Sequence, residues 1–237
     1  MVKVSKRYEL VAALVDQSQR YEPAAAISLV KQTATAKFDE TVELHIKTNA
    51  DPKQADQLIR EVALLPHGLG KTIRVLVFTQ GDAARAAREA GAEYVGDDDL
   101  IQRIEGGWVD FDTSIATPDM MGRVGRLGKV LGRRGLMPNP RTGTVVQPQD
   151  IARAVADARK GKVEVRMDRT AIIHVPIGKA SFQEQALLEN LAAVVELVAR
   201  ARPAAVKGQF LRTAYLSTTM GPSVAIDLTS LLALSVE

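Results

Sequence analysis

The sequence predicts a protein of two domains, α/β and α+β, in which a Rossmann-like three-layer α/β insert interrupts an α+β host domain with an antiparallel sheet. Near the start of the chain, Val42, Leu44 and Ile46 alternate with polar residues, as in a strand that has one wet face. The run 73–78 is instead continuously apolar, as in a parallel strand buried on both faces. The alternating pattern returns after residue 160, so both ends of the chain are predicted to form the host domain together.

The elements of the host domain follow from local signals. Pro23 suits the first turn of a helix, and the turn residues 49–52 separate two strands. Ser181-x-x-Glu184 is typical of a capping box ahead of a helix whose apolar residues recur every 3.6 positions and which Pro203 ends. The predicted helices cover 5–17, 23–36 and the segment after Ser181, and the predicted strands cover 42–47, 59–65, 163–167, 173–177, 209–218 and 222–228.

The insert is predicted as a small parallel unit because strands and helices alternate along it. It begins with the strand 73–78 and closes with a helix over 149–160, which Gly161 stops. Between them the sequence predicts helices at 82–90 and 97–104, strands at 92–95 and 111–116, and a partly helical stretch at 118–131.

Domain boundaries follow from these two patterns. The host domain is predicted to comprise 1–67 and 160–237, and the insert to comprise 68–159. The chain therefore crosses between domains near 66–71 and 159–162, where glycine or proline suits a hinge. The hinge candidates are Pro66, Gly68, Gly70 and Gly161.

Composition excludes several classes of protein. The apolar fraction is 46% and the charged fraction 25%, as in globular proteins. The absence of cysteine excludes disulfides, thiol catalysis and thiolate metal sites. The apolar run 10–15 is too short for a signal peptide, and no stretch approaches the ~18 apolar residues of a membrane span. A cytoplasmic protein without membrane association is therefore expected.

The sequence contains no recognisable catalytic or cofactor site. A Gly-Lys-Thr sequence precedes the first insert strand, but Leu65 stands where a phosphate-binding loop needs glycine, and no G-x-G-x-x-G opens the insert. The three aspartates 97–99 suit a helix start better than a metal site. The histidines fall on separate predicted elements: His45, His67 and His174. No enzyme activity, cofactor, metal or small-molecule substrate is expected, and the alternative of a nucleotide-binding α/β enzyme acting through the insert is disfavoured.

Two windows without acidic residues indicate a polyanionic partner. The window 120–149 interleaves six cations with glycines, whereas 82–119 holds ten acids and three bases, a local charge of −7. Glycine lets the main chain approach a phosphate, and arginine pairs with its oxygens. A solvated cationic face would explain one such window alone, but a second at 197–226 favours nucleic acid. The cations of the first window are Arg123, Arg126, Lys129, Arg133, Arg134 and Arg141.

Two short segments of the host domain add side chains that suit RNA. Phe38 lies beside Lys37, where an aromatic edge next to a cation fits an RNA-facing corner, although Phe38 taken alone is better explained as a core anchor. The segment 218–221, Thr-Thr-Met-Gly, offers hydroxyls, a soft apolar side chain and open backbone for 2′-hydroxyl and sugar contacts. A plain β-turn explains this segment equally well on physical grounds.

Taken together, six segments resemble, in order and spacing, the family of bacterial large-subunit ribosomal protein L-one, the protein of the mobile stalk beside the tRNA exit site. The resemblance covers essentially the whole chain, and its most specific parts are 135–140 and 218–223. The segments are Phe38-Asp39-Glu40-Thr41-Val42-Glu43, Leu65-Pro66-His67-Gly68-Leu69-Gly70-Lys71, Ala116-Thr117-Pro118-Asp119, Gly135-Leu136-Met137-Pro138-Asn139-Pro140, Gly178-Lys179-Ala180-Ser181-Phe182 and Thr218-Thr219-Met220-Gly221-Pro222-Ser223.

The resemblance implies a non-enzymatic ribosomal protein, monomeric when free, whose host domain binds a structured region of large-subunit (23S) rRNA. It also implies contact with exit-site tRNA, assistance to the release of deacylated tRNA, and repression of its own operon through an mRNA structure similar to the rRNA site. The main implied RNA contacts are Phe38, Thr41, Thr219, Met220 and Gly221, with Lys37, Lys179, Ser217 and Thr218 as further candidates.

The sequence departs from the family pattern at three positions. Arg133 stands where proline is usual, and Glu61 and Ala171 stand where glycine is usual. Ala171 lies close to the RNA-facing sheet, where its methyl group is expected to limit backbone approach. The resemblance also moves the main RNA surface from 120–149 to the host domain. It leaves four arginines as secondary RNA contacts or structural features of the insert, namely Arg123, Arg126, Arg133 and Arg134.

Overall fold

The computed structural model describes residues 5–234, which divide into two compact units. Unit 1 combines the chain up to Gly70 with the chain from Val163 onward, and unit 2 is the continuous stretch Lys71–Lys162. The predicted fold class is confirmed, because unit 1 contains an antiparallel sheet and unit 2 a parallel one.

The described chain contains nine α-helices and nine strands. The α-helices are α1 (Lys6–Ala12), α2 (Pro23–Thr33), α3 (Asp82–Glu89), α4 (Asp98–Glu105), α5 (Met121–Val124), α6 (Gly128–Leu131), α7 (Ile151–Arg159), α8 (Glu184–Arg200) and α9 (Leu228–Leu232). The strands are β1 (Thr41–Thr48), β2 (Arg60–Leu64), β3 (Val75–Phe78), β4 (Tyr94–Gly96), β5 (Thr113–Ala116), β6 (Lys162–Arg166), β7 (Ile172–Lys179), β8 (Leu211–Thr218) and β9 (Val224–Ile226). Short 3₁₀ turns include Pro118–Met120, Gly125–Leu127 and Gly132–Arg134.

The main sheet of unit 1 has the strand order β7-β1-β8-β9, and β2 pairs separately with β6. Strand β1 is central, so Leu44 lies opposite Val175 on one side and Leu216 on the other. These three side chains are fully buried. The alternate residues of β1 point to the opposite face and remain partly exposed, which is the wet face that the alternating sequence predicts.

Helix α8 closes the core of unit 1. Its buried residues recur at helical spacing, and the predicted apolar stripe is present except that Leu188 is only partly buried. Burying one such aliphatic side chain stabilises the fold by roughly 1.5–3 kcal/mol. Helix α8 therefore holds the inner face of the sheet in place and leaves the opposite face toward solvent. The buried apolar residues of the stripe are Leu187, Leu191, Ala192, Val194, Val195 and Val198.

Unit 2 has three layers built on the parallel strand order β4-β3-β5. On one side, Val75 and Val77 of β3 share a core with α3 and α7. On the other, Leu76 and Phe78 share a core with α4 and with the helical segment after β5. Strand β3 is therefore buried on both faces, as its continuous apolar run predicts. Trp108, the one tryptophan of the chain, also packs in unit 2.

Two helices of unit 1 end earlier than predicted. Helix α1 stops at Ala12 rather than at residue 17. Further on, the Asp16 carboxylate accepts from the amide and hydroxyl of Ser18 at 2.9 and 2.7 Å and forms a turn. Helix α2 stops at Thr33 rather than at residue 36, because the Ala36 amide donates to Glu40 Oε1 at 2.8 Å instead of continuing the helix.

The predicted capping box at Ser181 is wrong. Gln183 stands at the N-cap of α8, and its side chain makes no capping hydrogen bond. The Ser181 hydroxyl donates instead to Asp39 Oδ2 at 2.7 Å, and its amide donates to Asp39 Oδ1 at 3.1 Å. The carboxylate of Asp39, in a loop distant in sequence, thus binds the serine that local spacing predicts as the cap of the helix.

Ala171 has a left-handed backbone with φ of +60°, the one such non-glycine residue in the described chain. An alanine in this region is strained, because its Cβ crowds the neighbouring carbonyl. This explains why glycine suits the position. The expected obstruction of RNA by the methyl group is wrong, since Ala171 is buried.

Candidate nucleic-acid interface

One edge of unit 1 gathers most of the host-domain residues that the sequence singles out. Because β1 pairs with both β7 and β8, Thr41 lies opposite Lys179 and Val42 lies opposite Thr218. The loop 34–40, the turn 219–221 and the segment 179–181 therefore meet, and we call them the loop corner. It contains Lys37, Phe38, Thr41, Lys179, Thr219, Met220 and Gly221.

A buried carboxylate holds the loop corner together. Glu40 is almost fully buried, and its two oxygens accept from the Ala36 amide at 2.8 Å and the Met220 amide at 2.9 Å. Burial works to raise the pKa of Glu40, but these hydrogen bonds and the nearby charge of Arg7 together lower it below its usual value. Glu40 is therefore ionised at neutral pH and links two loops that are 180 residues apart.

Thr41, Thr219 and Lys179 form a second link across the corner. The Thr41 amide donates to Thr219 Oγ1 at 3.1 Å, and the Thr219 amide donates to the Thr41 carbonyl at 3.1 Å. Lys179 Nζ donates to Thr41 Oγ1 at 2.8 Å. A lysine ammonium has three donors, so Lys179 is positioned by this bond and retains donors for an anion.

Two apolar side chains project from the corner. Phe38 is 55% exposed and Met220 is 48% exposed, so the explanation of Phe38 as a core anchor is wrong. Lys37 beside it is also exposed. Arg7 was not predicted, yet it lies here because its guanidinium donates to Thr35 Oγ1 at 3.0 Å and to the Met220 carbonyl at 3.2 Å. No local motif marks Arg7, since its partners are distant in sequence.

Thr218 is the one predicted RNA contact in this segment that the structure places inside. It is buried, and its hydroxyl has no hydrogen-bond partner in the described chain. A Cβ on Gly221 would lie 2.3 Å from this hydroxyl. Thr218 therefore makes no direct contact with an external ligand, because alternation along β8 turns it toward the core, and Gly221 is needed to let the turn close over it.

The outer face of the sheet carries a histidine pair that the sequence analysis missed. His45 and His174 lie directly opposite each other on β1 and β7, with their Nδ1 atoms 2.7 Å apart. His45 Nε2 lies 2.9 Å from Ser217 Oγ, which brings the predicted Ser217 into the same surface. His45 and His174 do lie on separate strands, as predicted, but the register of two strands 129 residues apart brings them together.

The environment of His45 disfavours its charged form. Burial first, and then the neighbouring His174, lower the pKa of His45, while Glu43 opposes the change. At neutral pH the short contact between the rings is therefore a hydrogen bond in which one imidazole donates and the other accepts. Tyr215, opposite His45 on β8, is 38% exposed and extends this polar and aromatic face.

The four predicted secondary contacts lie on the helical segment 121–134 of unit 2. Arg123 forms an ion pair with Asp98 at 3.1 Å. Arg126, Arg133 and Arg134 are exposed, and so is Lys129 between them. Among the described residues, no carboxylate lies within ion-pair distance of these four side chains. Leu127 and Leu131 point inward from the same segment, so the cations stand on its solvent side.

The glycines of the first predicted hinge have defined surroundings. Gly68 and Gly70 have φ of +65° and +68°, and Gly161 at the second has +101°. The fully buried Asn190 fixes the first segment, since its amide side chain accepts from the His67 amide and donates to the Gly68 carbonyl, both at 3.0 Å. A Cβ on Gly70 would lie 2.6 Å from the Phe182 ring, so this glycine also permits close packing within unit 1.

Residues 5–234 contain no group of three His, Asp or Glu side chains that could hold a metal ion. Asp97 stands at the N-cap of α4 without a capping bond, and its carboxylate accepts from Gln80 Nε2 at 3.0 Å. Asp98 and Asp99 occupy the first turn, as predicted. None of the described helices is both long and apolar enough to cross a bilayer.

Comparison with known proteins identifies the class to which this two-unit chain belongs. Residues 30–222 match the model of the ribosomal protein L1p/L10e family. Proteins named large ribosomal subunit protein uL1 are 56% identical to the chain. That of Dehalococcoides mccartyi strain CBDB1 aligns over 234 residues, 99% of both chains, and that of Chloroflexus aggregans over 229 residues, 96% of this chain and 97% of the relative.

The chain belongs to the ribosomal protein L1p/L10e family. It is accordingly a structural constituent of the large ribosomal subunit and not an enzyme, and its place is the ribosome in the cytoplasm. The alternative of a nucleotide-binding enzyme is thereby set aside.

Proposed function

We propose that unit 1 binds a structured region of large-subunit rRNA through the loop corner, at the mobile stalk beside the tRNA exit site. The observation that carries this proposal is the exposure of Phe38 and Met220 on either side of a rigid network of hydrogen bonds. Exposed aromatic and thioether groups on fixed backbone suit the stacking and sugar contacts by which proteins recognise folded RNA.

Each side chain of the corner has a distinct role in this proposal. Phe38 stacks on a base or sugar, and Met220 contacts the minor-groove surface. The Thr219 hydroxyl accepts from the Thr41 amide at 3.1 Å and donates to the Thr41 carbonyl only over a long 3.4 Å, so in this proposal its proton turns to a phosphate or 2′-hydroxyl when RNA binds. Lys37 and Lys179 supply positive charge at the edge, and Gly221 permits the tight turn that presents Met220. Thr218 is buried beneath the turn and supports it there.

The outer sheet face extends the same surface. Ser217, His45 and Tyr215 lie beside one another across β1 and β8, and their polar tips and ring edges are the groups that read a shallow minor groove. The two ends of this surface are joined by strand β1, so a rigid RNA fold would contact both without reordering the protein.

The wider role that we propose follows from this RNA site. The protein acts as a monomer when free. On the ribosome it contacts exit-site tRNA and assists release of deacylated tRNA. The chain crossings at Pro66, Gly68, Gly70 and Gly161 allow the two units to move during that step. Off the ribosome, the same loop corner binds a similar structure in the mRNA of its own operon and represses translation.

The test is a filter-binding titration of the full chain against a stalk-region rRNA fragment and an unrelated hairpin of equal length. Phe38→Ala should weaken binding to the stalk fragment by about tenfold or more, since loss of one stacked base costs roughly 1–3 kcal/mol. Leu64→Ala is the matched control, because Leu64 is 53% exposed elsewhere in unit 1. Equal affinities of the two variants would remove the loop corner as the RNA site.

The proposed repression has its own measurement. In a coupled translation reaction, added protein should lower synthesis from its own operon leader but not from a leader without the rRNA-like structure, and Phe38→Ala should relieve that effect. Repression that persists in the Phe38→Ala variant would separate regulation from the loop corner.

A further inference from the structure

We propose that a basic ridge on unit 2 is a second RNA-contact surface, which takes the phosphodiester backbone close to the protein main chain. The basic ridge is the solvent side of segment 121–134, with Arg126, Lys129, Arg133 and Arg134. RNA is the partner here, as in the proposed function, but the surface lies on unit 2 and consists of different residues.

The first observation is the charge of the ridge. Its four cations are exposed, and no described carboxylate pairs with them. The acids of the same unit that lie in ion pairs have other partners: Asp98 pairs with Arg123, and Asp110 and Asp112 pair with Arg74. The positive charge of the ridge is therefore not neutralised within the described chain, and a polyanion is the complementary partner.

The second observation is that the glycines between these cations are not required by the fold. Gly125, Gly128 and Gly132 have helical φ values of −53°, −54° and −63°. A Cβ on any of the three would meet no atom within 4 Å. Alanine is more stable than glycine in helical backbone, so unit 2 itself would favour alanine at these positions.

Exposed glycine next to unpaired arginine has a clear use at a phosphate surface. Without Cβ atoms, the ridge lets a phosphodiester backbone reach the peptide groups, while flanking guanidinium groups pair with phosphate oxygens. Contacts of this kind do not read bases, so the ridge would bind RNA with little dependence on sequence.

The arrangement of the core fixes the ridge in place. Val124, Leu127 and Leu131 are fully or almost fully buried against unit 2, which holds the segment in one orientation despite its mixture of α and 3₁₀ turns. The ridge is therefore a preformed surface and needs no folding upon binding.

The experiment uses the full chain and compares two triple variants of equal charge change. The ridge variant carries Arg126→Gln, Lys129→Gln and Arg133→Gln. The control carries Arg85→Gln, Arg88→Gln and Arg153→Gln, all exposed on α3 and α7 of the same unit. Both are titrated by filter binding, over a range of salt concentrations, against the stalk-region rRNA fragment, an unrelated RNA hairpin and polyglutamate.

The ridge variant should lose affinity for both RNAs by a similar factor, about tenfold at low salt, and its log–log salt slope should fall by about 2–3, as for three lost phosphate contacts. The control should change much less. Equal effects of the two triple variants would overturn the ridge, and so would polyglutamate binding as tight as RNA binding by the unchanged protein.

A glycine variant separates a partner contact from a structural role. Gly125→Ala, Gly128→Ala and Gly132→Ala together should raise the unfolding temperature of unit 2, followed by Trp108 fluorescence, and yet weaken binding to both RNAs. Normal RNA affinity in this variant would overturn the close approach of the backbone. A lowered unfolding temperature would overturn it too, because the glycines would then serve the fold.

The outcome for the ridge is distinguishable from that for the loop corner. Phe38→Ala is expected to affect the stalk fragment alone, whereas the ridge variant affects both RNAs. If the ridge variant loses affinity for both RNAs while Phe38→Ala binds the stalk fragment as tightly as the unchanged protein, the ridge stands and the proposed function is overturned. The reverse pattern would overturn the ridge and leave the proposed function standing.

Discussion

Thr41 and Thr219 hold each other through two reciprocal backbone contacts: the Thr41 amide donates to the Thr219 hydroxyl, and the Thr219 amide donates to the Thr41 carbonyl. The first residue of β1 is thus joined to the turn that follows β8. The same hydroxyl donates to the Thr41 carbonyl over a long 3.4 Å. Because Thr219 is exposed, an RNA acceptor can replace this weak bond while the hydroxyl still accepts from the Thr41 amide.

Thr219→Val should therefore affect both RNA binding and stability. Removal of the hydroxyl leaves the Thr41 amide without its acceptor and removes one donor from the RNA surface. Each lost hydrogen bond costs about 1 kcal/mol or somewhat more, so we expect roughly fivefold to tenfold weaker binding to the stalk-region fragment and a small loss of unfolding free energy, measured by filter binding and urea denaturation.

Thr219→Ser is the matched control, because it keeps the hydroxyl and removes only a methyl group. It should bind nearly as tightly as the unchanged protein. If the valine and serine variants bind equally well, the hydroxyl has no part in recognition.

Glu40→Gln should destabilise unit 1 by about 2 kcal/mol or more at pH 7, because the two amides then lose a charged acceptor in a buried place. Since the folded pKa of Glu40 is lowered, its contribution is fully present above the unfolded pKa and is lost as the pH falls through the folded pKa. The stability difference between protein and variant should therefore shrink in acid, and urea denaturation between pH 7 and pH 3 measures it. A difference that is constant with pH would contradict an ionised Glu40.

Ala171→Gly should stabilise unit 1 by about 1 kcal/mol, since glycine relieves a left-handed alanine. Ala24→Gly provides the control of opposite sign. Ala24 lies exposed in α2, where glycine should cost about 1 kcal/mol. Thermal unfolding followed by circular dichroism compares them, and a fall in stability for Ala171→Gly would show that the buried methyl group matters more than the strain.

His45→Gln should flatten the pH dependence of stability in mild acid. The folded pKa of His45 is lowered, so its contribution is present above the unfolded pKa of about 6.5 and is lost as the pH falls through the folded value. The unchanged protein should thus lose unfolding free energy faster than the variant between pH 7.5 and pH 5, in urea titrations. Parallel curves for the two proteins would mean that the carboxylates of Glu43 and Asp168 offset the repulsion caused by a second positive charge in the His45–His174 pair.

Local patterns predicted the elements of the fold well, and distant contacts account for what they missed. The alternation of Val42, Leu44 and Ile46 fixed the inner face of β1, and the continuous run of β3 fixed its double burial. The helix end at Thr33 could not be predicted in this way, because it depends on the hydrogen bond that Glu40 accepts from the Ala36 amide.

The candidate site likewise combines residues that the sequence indicated with residues that only distant contacts bring together. Family resemblance supplied Phe38 and Met220, and their exposure accords with it. The pairing of His45 with His174 and the contact of Arg7 with the Met220 carbonyl depend on strand register and on loops far apart in sequence. The inward direction of Thr218 could have been predicted, because the alternation along the predicted strand 209–218 places it on the same face as Ala214 and Leu216.

The central position of β1 in a sheet whose other strands come much later also governs how the chain is made. Strand β1 leaves the ribosome well before its neighbours, and Thr41 waits for a partner 178 residues away. At about 5–20 residues per second, this delay is on the order of ten to thirty seconds. Unit 2, a single continuous stretch, is complete during that interval. The loop corner is thus among the last parts to assemble, so a truncated or stalled chain presents no finished loop corner to RNA.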